Sequence, residues 1–95
     1  DYIYENDTPG PAVRRHRGAE PVTLADYRRR YAQYRGDPDL QAVHAACAWA
    51  AVWDDHEVQN DYVGDRALDL ADPVRFRARR LAAYRAWYEH LPVPA

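Results

Sequence analysis

Apolar and polar residues along the chain divide it into two loop-rich stretches and three helical ones. Leu24, Tyr27, Tyr31 and Tyr34 recur at spacings of three and four, which predicts one stripe of a helix about three turns long. Thr23 with Asp26 three residues on forms a capping-box pattern at its start, and Gly36 is the expected terminator. Asp37-Pro38 opens a second helix, with Asp as cap and Pro at the first position, where its missing N–H costs nothing; Leu40, Val43 and Cys47 continue along one side. Asp72-Pro73 repeats that start, and a third helix should run from Pro73 to about His90 and stop at Leu91-Pro92. On this helix Phe76, Ala83, Tyr84, Trp87 and Leu91 fall within one arc of about 100°, a core-facing stripe. Arg80 lies inside that arc and should either snorkel or pair with an acid from outside this chain.

Between the helices the pattern changes. Asp1 to Glu5 reads as a strand end or the loop leaving it, and Asn6 to Pro21 as a loop with three prolines and two glycines. The run Trp49-Ala50-Ala51-Val52-Trp53 is apolar and stops abruptly at ionisable residues, which predicts a buried strand delivering side chains at its carboxyl end. Alanine does not favour strands, so a continued helix is the competing reading. Val58 to Ala71 reads as a loop with a possible turn at Gly64-Asp65.

Composition narrows the function classes. All 13 basic residues are Arg against 15 Asp plus Glu, a net charge of −2, and this near-balance argues against a non-specific nucleic-acid binder. Arg14-Arg15-His16-Arg17 and Arg28-Arg29-Arg30 are read as solvated surface. The single Cys47 has no disulfide partner and is expected to be a buried, inert thiol; His44 should sit at a helix-side core or interface, and His16 and His90 should face solvent. No apolar run approaches 18 residues, so no transmembrane segment is expected. With no Met and an opening on Asp-Tyr-Ile-Tyr, the chain is expected to lack its natural N-terminal side.

The chemistry is concentrated in two acidic clusters. Asp1 is followed by Tyr2, Tyr4 and Glu5, and Trp53 by Asp54, Asp55, His56 and Glu57. In extended geometry Asp55 and Glu57 would share one face and Asp54 and His56 the other, unless a turn alters the pairing. Carboxylates this dense imply a cation more than a bare acid–base pair, since a phosphate ester would be repelled unless multivalent metal reversed the local field. A phenolate such as that of Tyr4 is a strong donor to ferric iron, and carboxylates suit hard cations such as calcium or magnesium. His56 could protonate a leaving group or bond to a phosphoryl oxygen. The competing readings are an ordinary solvated strand exit at Asp54–Glu57 and, for the whole chain, a small helical interaction module docking through its Tyr and Trp stripes.

At these residues the sequence resembles the PhoD-like alkaline phosphatases. The matching pieces are Asp1-Tyr2-Ile3-Tyr4-Glu5, Thr23-Leu24-Ala25-Asp26-Tyr27-Arg28, Tyr31-Ala32 to Tyr34-Arg35, Asp37-Pro38-Asp39-Leu40-Gln41, Val52-Trp53-Asp54-Asp55-His56-Glu57-Val58, and Tyr84 to Trp87-Tyr88-Glu89. The resemblance covers nearly the whole chain. It implies an α/β fold in which residues 1–95 are part of a metallophosphatase catalytic domain: a fragment of a four-layer α/β/β/α sandwich, mostly helical here with one or two short strands. It also implies roles: Asp1 as the metal-bridging carboxylate, Tyr4 as the phenolate on Fe3+, Asp55 where related phosphatases place a metal-binding asparagine, and His56 as the adjacent catalytic histidine. The implied cofactors are Fe3+ and Ca2+, the substrates phosphate monoesters and some diesters, and the location secreted or periplasmic after export as a folded protein. Gln59-Asn60-Asp61-Tyr62 departs from the more usual Glu-Asn-Asn-Tyr, and the Gly that usually precedes Asp1 is not in this chain. The family's remaining ligands lie outside this stretch, so the chain by itself is expected to be inactive.

Overall fold

The computed structural model describes residues 1–7, 10–69 and 72–94. The three helices form where their caps predict: α1 over Leu24–Arg35, α2 over Pro38–Ala46 and α3 over Pro73–His90. Thr23 and Asp26 exchange both bonds of the capping box. Asp37 and Asp72 each accept two backbone N–H groups in front of a proline. Gly36 does cap α1, but in a right-handed conformation with φ −74°. The chain ends the helix there because Asp37 is already folded as the cap of α2, not because glycine supplies a left-handed residue.

α1 packs against α3, and α2 lies against α1 with no residue of its own buried. Tyr27 and Tyr31 of α1 and Phe76, Ala83, Ala86 and Trp87 of α3 form the core, joined by Ile3 and Val58 from the connecting segments. Burial of a ring such as Phe76 contributes about 1.5–3 kcal/mol. The aromatic stripe of α3 is thus largely satisfied within this chain; Tyr84, at its edge, shares a hydrogen bond with Tyr62 at 2.8 Å.

Two buried arginines tie the irregular segments to the helices. Arg30 donates to the carbonyl oxygens of Tyr4 at 2.7 Å, Glu5 at 2.6 Å and Ala19 at 3.2 Å. Arg79 donates to Tyr27 Oη at 2.8 Å, Gln59 Oε1 at 2.8 Å and Glu20 Oε1 at 3.0 Å, while the Tyr27 hydroxyl donates to Val58 O at 2.6 Å. Segment 1–5 and the turn around Val58 are therefore clamped between α1 and α3, and these are the segments that carry the acidic clusters.

Several expectations are corrected. Among the described residues there is no strand, and Trp49–Trp53 lies outside helix and ladder alike. A strand requires a paired neighbour; here Val52 is 84% exposed, and the two tryptophans turn into separate ring stacks, Trp49 on His44 at 4.0 Å and Trp53 on Tyr84 at 4.5 Å. Cys47 is exposed, because α2 presents no buried face. Arg80 pairs within the chain, with Asp65 at 2.6 Å. The His16 side chain is 7% exposed between Asp7 and Tyr34, and His90 is half-buried, stacked on Tyr31 at 4.7 Å. The Arg-rich runs are not purely solvated: Arg30 is buried and Arg14 reaches Asp37 at 2.7 Å. The loop expectation holds from Val58 through Asp69, with an isolated antiparallel bridge between Val63 and Arg66 around Gly64, whose φ is +58°. Its continuation at Leu70 and Ala71, and the part of the first loop at Thr8 and Pro9, lie outside the described residues.

Candidate metal centre

The run Asp54–Glu57 does not continue extended. Asp55 O accepts from Val58 N at 2.9 Å and from Gln59 N at 2.8 Å, which closes a single helix-like turn directly after Trp53. This turn replaces the alternating faces of an extended segment. Glu57 points inward, 1% exposed, where Oε2 accepts from Asp54 N at 2.7 Å and Oε1 accepts the backbone N–H of Tyr2. It is a structural carboxylate that fastens the turn to segment 1–5.

Asp55 and His56 are left on the outside of the turn, and Asp1 meets them. Ligand atoms of Asp1, Asp55 and His56 lie within 4.8 Å of one another. Tyr4 belongs to the same constellation: its hydroxyl donates to Asp1 Oδ2 at 3.0 Å, and its ring lies 4.5 Å from that of His56. All four residues singled out in the sequence are thus brought together. Asp54 is not; it is exposed beside Trp53, Tyr62 and Tyr84.

Asp55 Oδ2 accepts the backbone N–H of Asp61 at 2.7 Å, and Asp61 reaches that position with φ +56°. This hydrogen bond is the leading cause that holds the Asp55 carboxyl below the usual carboxylate range. His56 Nδ1 sits 2.9 Å from Oε2 of the fully buried Glu5. The sequence reading grouped Glu5 with the first acidic cluster without assigning it a partner, and a contact spanning residues 5 and 56 leaves no mark in local spacing.

Two carboxylates and an imidazole gathered within 4.8 Å, with a phenol 3.0 Å from one of the carboxylates, are a donor set for a cation. Like charges at this range would repel one another without one. The residues present therefore fit the metal that the resemblance implies.

The chain belongs to the PhoD-like phosphatase family, whose sequence pattern matches residues 1–95. It is 48% identical over 98 residues to alkaline phosphatase D of Bacillus subtilis (strain 168), a match covering 98% of this chain and 17% of that protein. The solved structure described as that of PhoD superposes with a TM-score of 0.89 at 46% identity, over 99% of this chain and 19% of the other. The chain thus spans less than a fifth of the length of these relatives. Its mostly helical architecture is that of one part of the larger fold. Among the described residues no helix is long and apolar enough to cross a membrane.

Proposed function

We propose that the full-length protein is a secreted or periplasmic metal-dependent phosphatase that hydrolyses phosphate monoesters and some diesters, and that residues 1–95 are a partial catalytic domain supplying one corner of a two-metal site. The convergence of Asp1, Asp55 and His56 within 4.8 Å carries this reading. Asp1 would serve as the metal-bridging carboxylate, Tyr4 would give its phenolate to Fe3+, and Asp55 would offer an oxygen to the site, which would take iron and calcium with further ligands from outside this stretch. Bound cations would neutralise the phosphoryl charge and lower the pKa of an attacking water.

The chain's own residues orient and move protons. The Asp61 N–H keeps the Asp55 carboxylate ionised and aimed at the cluster. His56, beside but not within the carboxylate set, binds a phosphoryl oxygen or protonates the leaving oxygen. Hydrolysis of a generic phosphomonoester by the full-length protein, supplied with iron and calcium, tests the reading. Asp1→Ala should lose most of the activity, whereas Asp55→Asn should keep part of it because asparagine still offers one oxygen. An Asp1→Ala protein as active as the wild type would sink the bridging role.

A further inference from the structure

Glu5 has no part in the reading above, yet it is the buried partner of the one imidazole in the cluster. Its side chain is fully buried and both oxygens are engaged: Oε2 with His56 Nδ1 at 2.9 Å, and Oε1 with the backbone N–H of Asn60 at 3.2 Å and, more distantly, with the same His56 nitrogen at 3.3 Å. Its own carbonyl is held by Arg30 at 2.6 Å, which fixes the backbone from which the carboxylate extends. A carboxylate only accepts hydrogen bonds, so the nitrogen it faces must be the one carrying hydrogen. With Nδ1 committed to Glu5, Nε2 is the ring nitrogen left to exchange a proton.

We propose that Glu5 is a positioning residue for His56, locking the ring with its proton on Nδ1 so that Nε2 alone exchanges a proton at the phosphoryl group. This rests on the reading of His56 given above. In the step, a water oxygen bonds to phosphorus as the P–O bond to the alcohol breaks with its electron pair on the alcohol oxygen. That oxygen takes the proton from Nε2, leaving a neutral ring whose Nδ1–H stays on Glu5. The water's surplus proton passes to solvent, and the ring regains one from solvent before the next turnover.

The geometry makes Glu5→Gln an unusually informative substitution, because the shape is kept while one acceptor becomes a donor. The Asn60 N–H is backbone and cannot reverse, so the amide oxygen takes the Oε1 place facing it and the amide NH2 takes the Oε2 place, at 2.9 Å the nearer of the two to His56 Nδ1. The ring is then forced to carry its hydrogen on Nε2, where it can donate a hydrogen bond to a phosphoryl oxygen but has no second proton to give up. In full-length protein loaded with calcium, a diamagnetic cation, ring 15N signals of His56 should show Nδ1 protonated in the wild type and Nε2 protonated in Glu5→Gln. The same variant should lose about 100-fold or more in kcat, the range of a general acid, with KM changed by less than about threefold. A wild-type ring protonated at Nε2 alone overturns the proposal whatever the variant does. So does an unchanged ring in Glu5→Gln, or a switched ring with kcat intact. Full turnover in His56→Ala would remove the reading of His56 and the proposal with it. That failure is told apart from a failure of Glu5 alone, because the wild-type ring signals do not depend on turnover.

Discussion

Glu57 shows how an acid in a catalytic-looking run can be wholly structural. At 1% exposure it accepts the N–H of Asp54 and the N–H of Tyr2, two donors from segments far apart in the chain. Glu57→Ala would orphan both, at about 2–4 kcal/mol together. Glu57→Gln should also destabilise, since one end of an amide can only oppose a donor with a donor. Amide hydrogen exchange in the full-length protein should quicken at Tyr2 and Asp54 in both variants, and unchanged protection at either amide would count against the dual role. The density of ionisable groups was legible in Asp54–Glu57, but the division of labour was not. Alternation assigns Asp55 and Glu57 to one face, whereas the turn closed on Asp55 O sends Glu57 inward and leaves Asp55 beside His56. The demand on Asp61 is similarly local. What Asp55 needs there is a backbone N–H presented at positive φ, and Asp and Asn both tolerate that conformation.

At the scale of elements, α1 and α3 are joined at their surface by a bidentate pair, Arg28 Nε and Nη2 on the two oxygens of Glu89 at 2.8 and 2.7 Å, with Arg85 adding a third bond at 3.0 Å. The Arg28 hydrogen bonds, foremost, pull the Glu89 carboxyl down to about 2 from its ordinary 4.5. A carboxyl depressed in the folded state favours folding above its unfolded value and loses that contribution as pH falls through the folded one. The clasp should therefore stay fully formed at pH 5 and weaken between about 4.5 and 2. A 13C titration of the Glu89 carboxyl should place its midpoint near 2, and Arg28→Ala should move it upward; an unmoved midpoint would assign the shift elsewhere. The helices themselves were readable because their signals are local: Thr23 with Asp26, Asp37 with Pro38, and Asp72 with Pro73 each act within four residues. The Trp49–Trp53 strand was not, because a strand is made by its neighbour, and a five-residue apolar run carries no record of whether one is there. Arg30 and Arg79 escaped for a related reason. Their carbonyl, phenol, amide and carboxylate partners lie 11 to 59 residues away, so no local spacing records them.

For the whole molecule, the decisive feature is that α1 and α3 clamp two segments carrying donors whose separation in sequence, from Asp1 to Asp55, no local pattern could have bridged. Only the family resemblance joined them beforehand; the geometry now supplies the means, through Arg30 on segment 1–5 and through Tyr27 and Arg79 on the turn. The donor count then limits what the chain can do alone. Calcium takes about 6–8 oxygen ligands, whereas Asp1, Tyr4 and Asp55 offer five side-chain oxygens even if both carboxylates bind through both atoms. One of these, Asp55 Oδ2, already accepts the Asp61 N–H, and a second cation would compete for the same set. The 95-residue chain should accordingly bind calcium weakly and hydrolyse no phosphomonoester, while the full-length protein, with further ligands from its remaining length, should do both. Calorimetric titration of calcium into each, beside a hydrolysis assay of each, separates the possibilities. Tight binding and turnover by the isolated chain would mean that this corner is a complete centre, and the two-metal arrangement proposed for it would have to be abandoned.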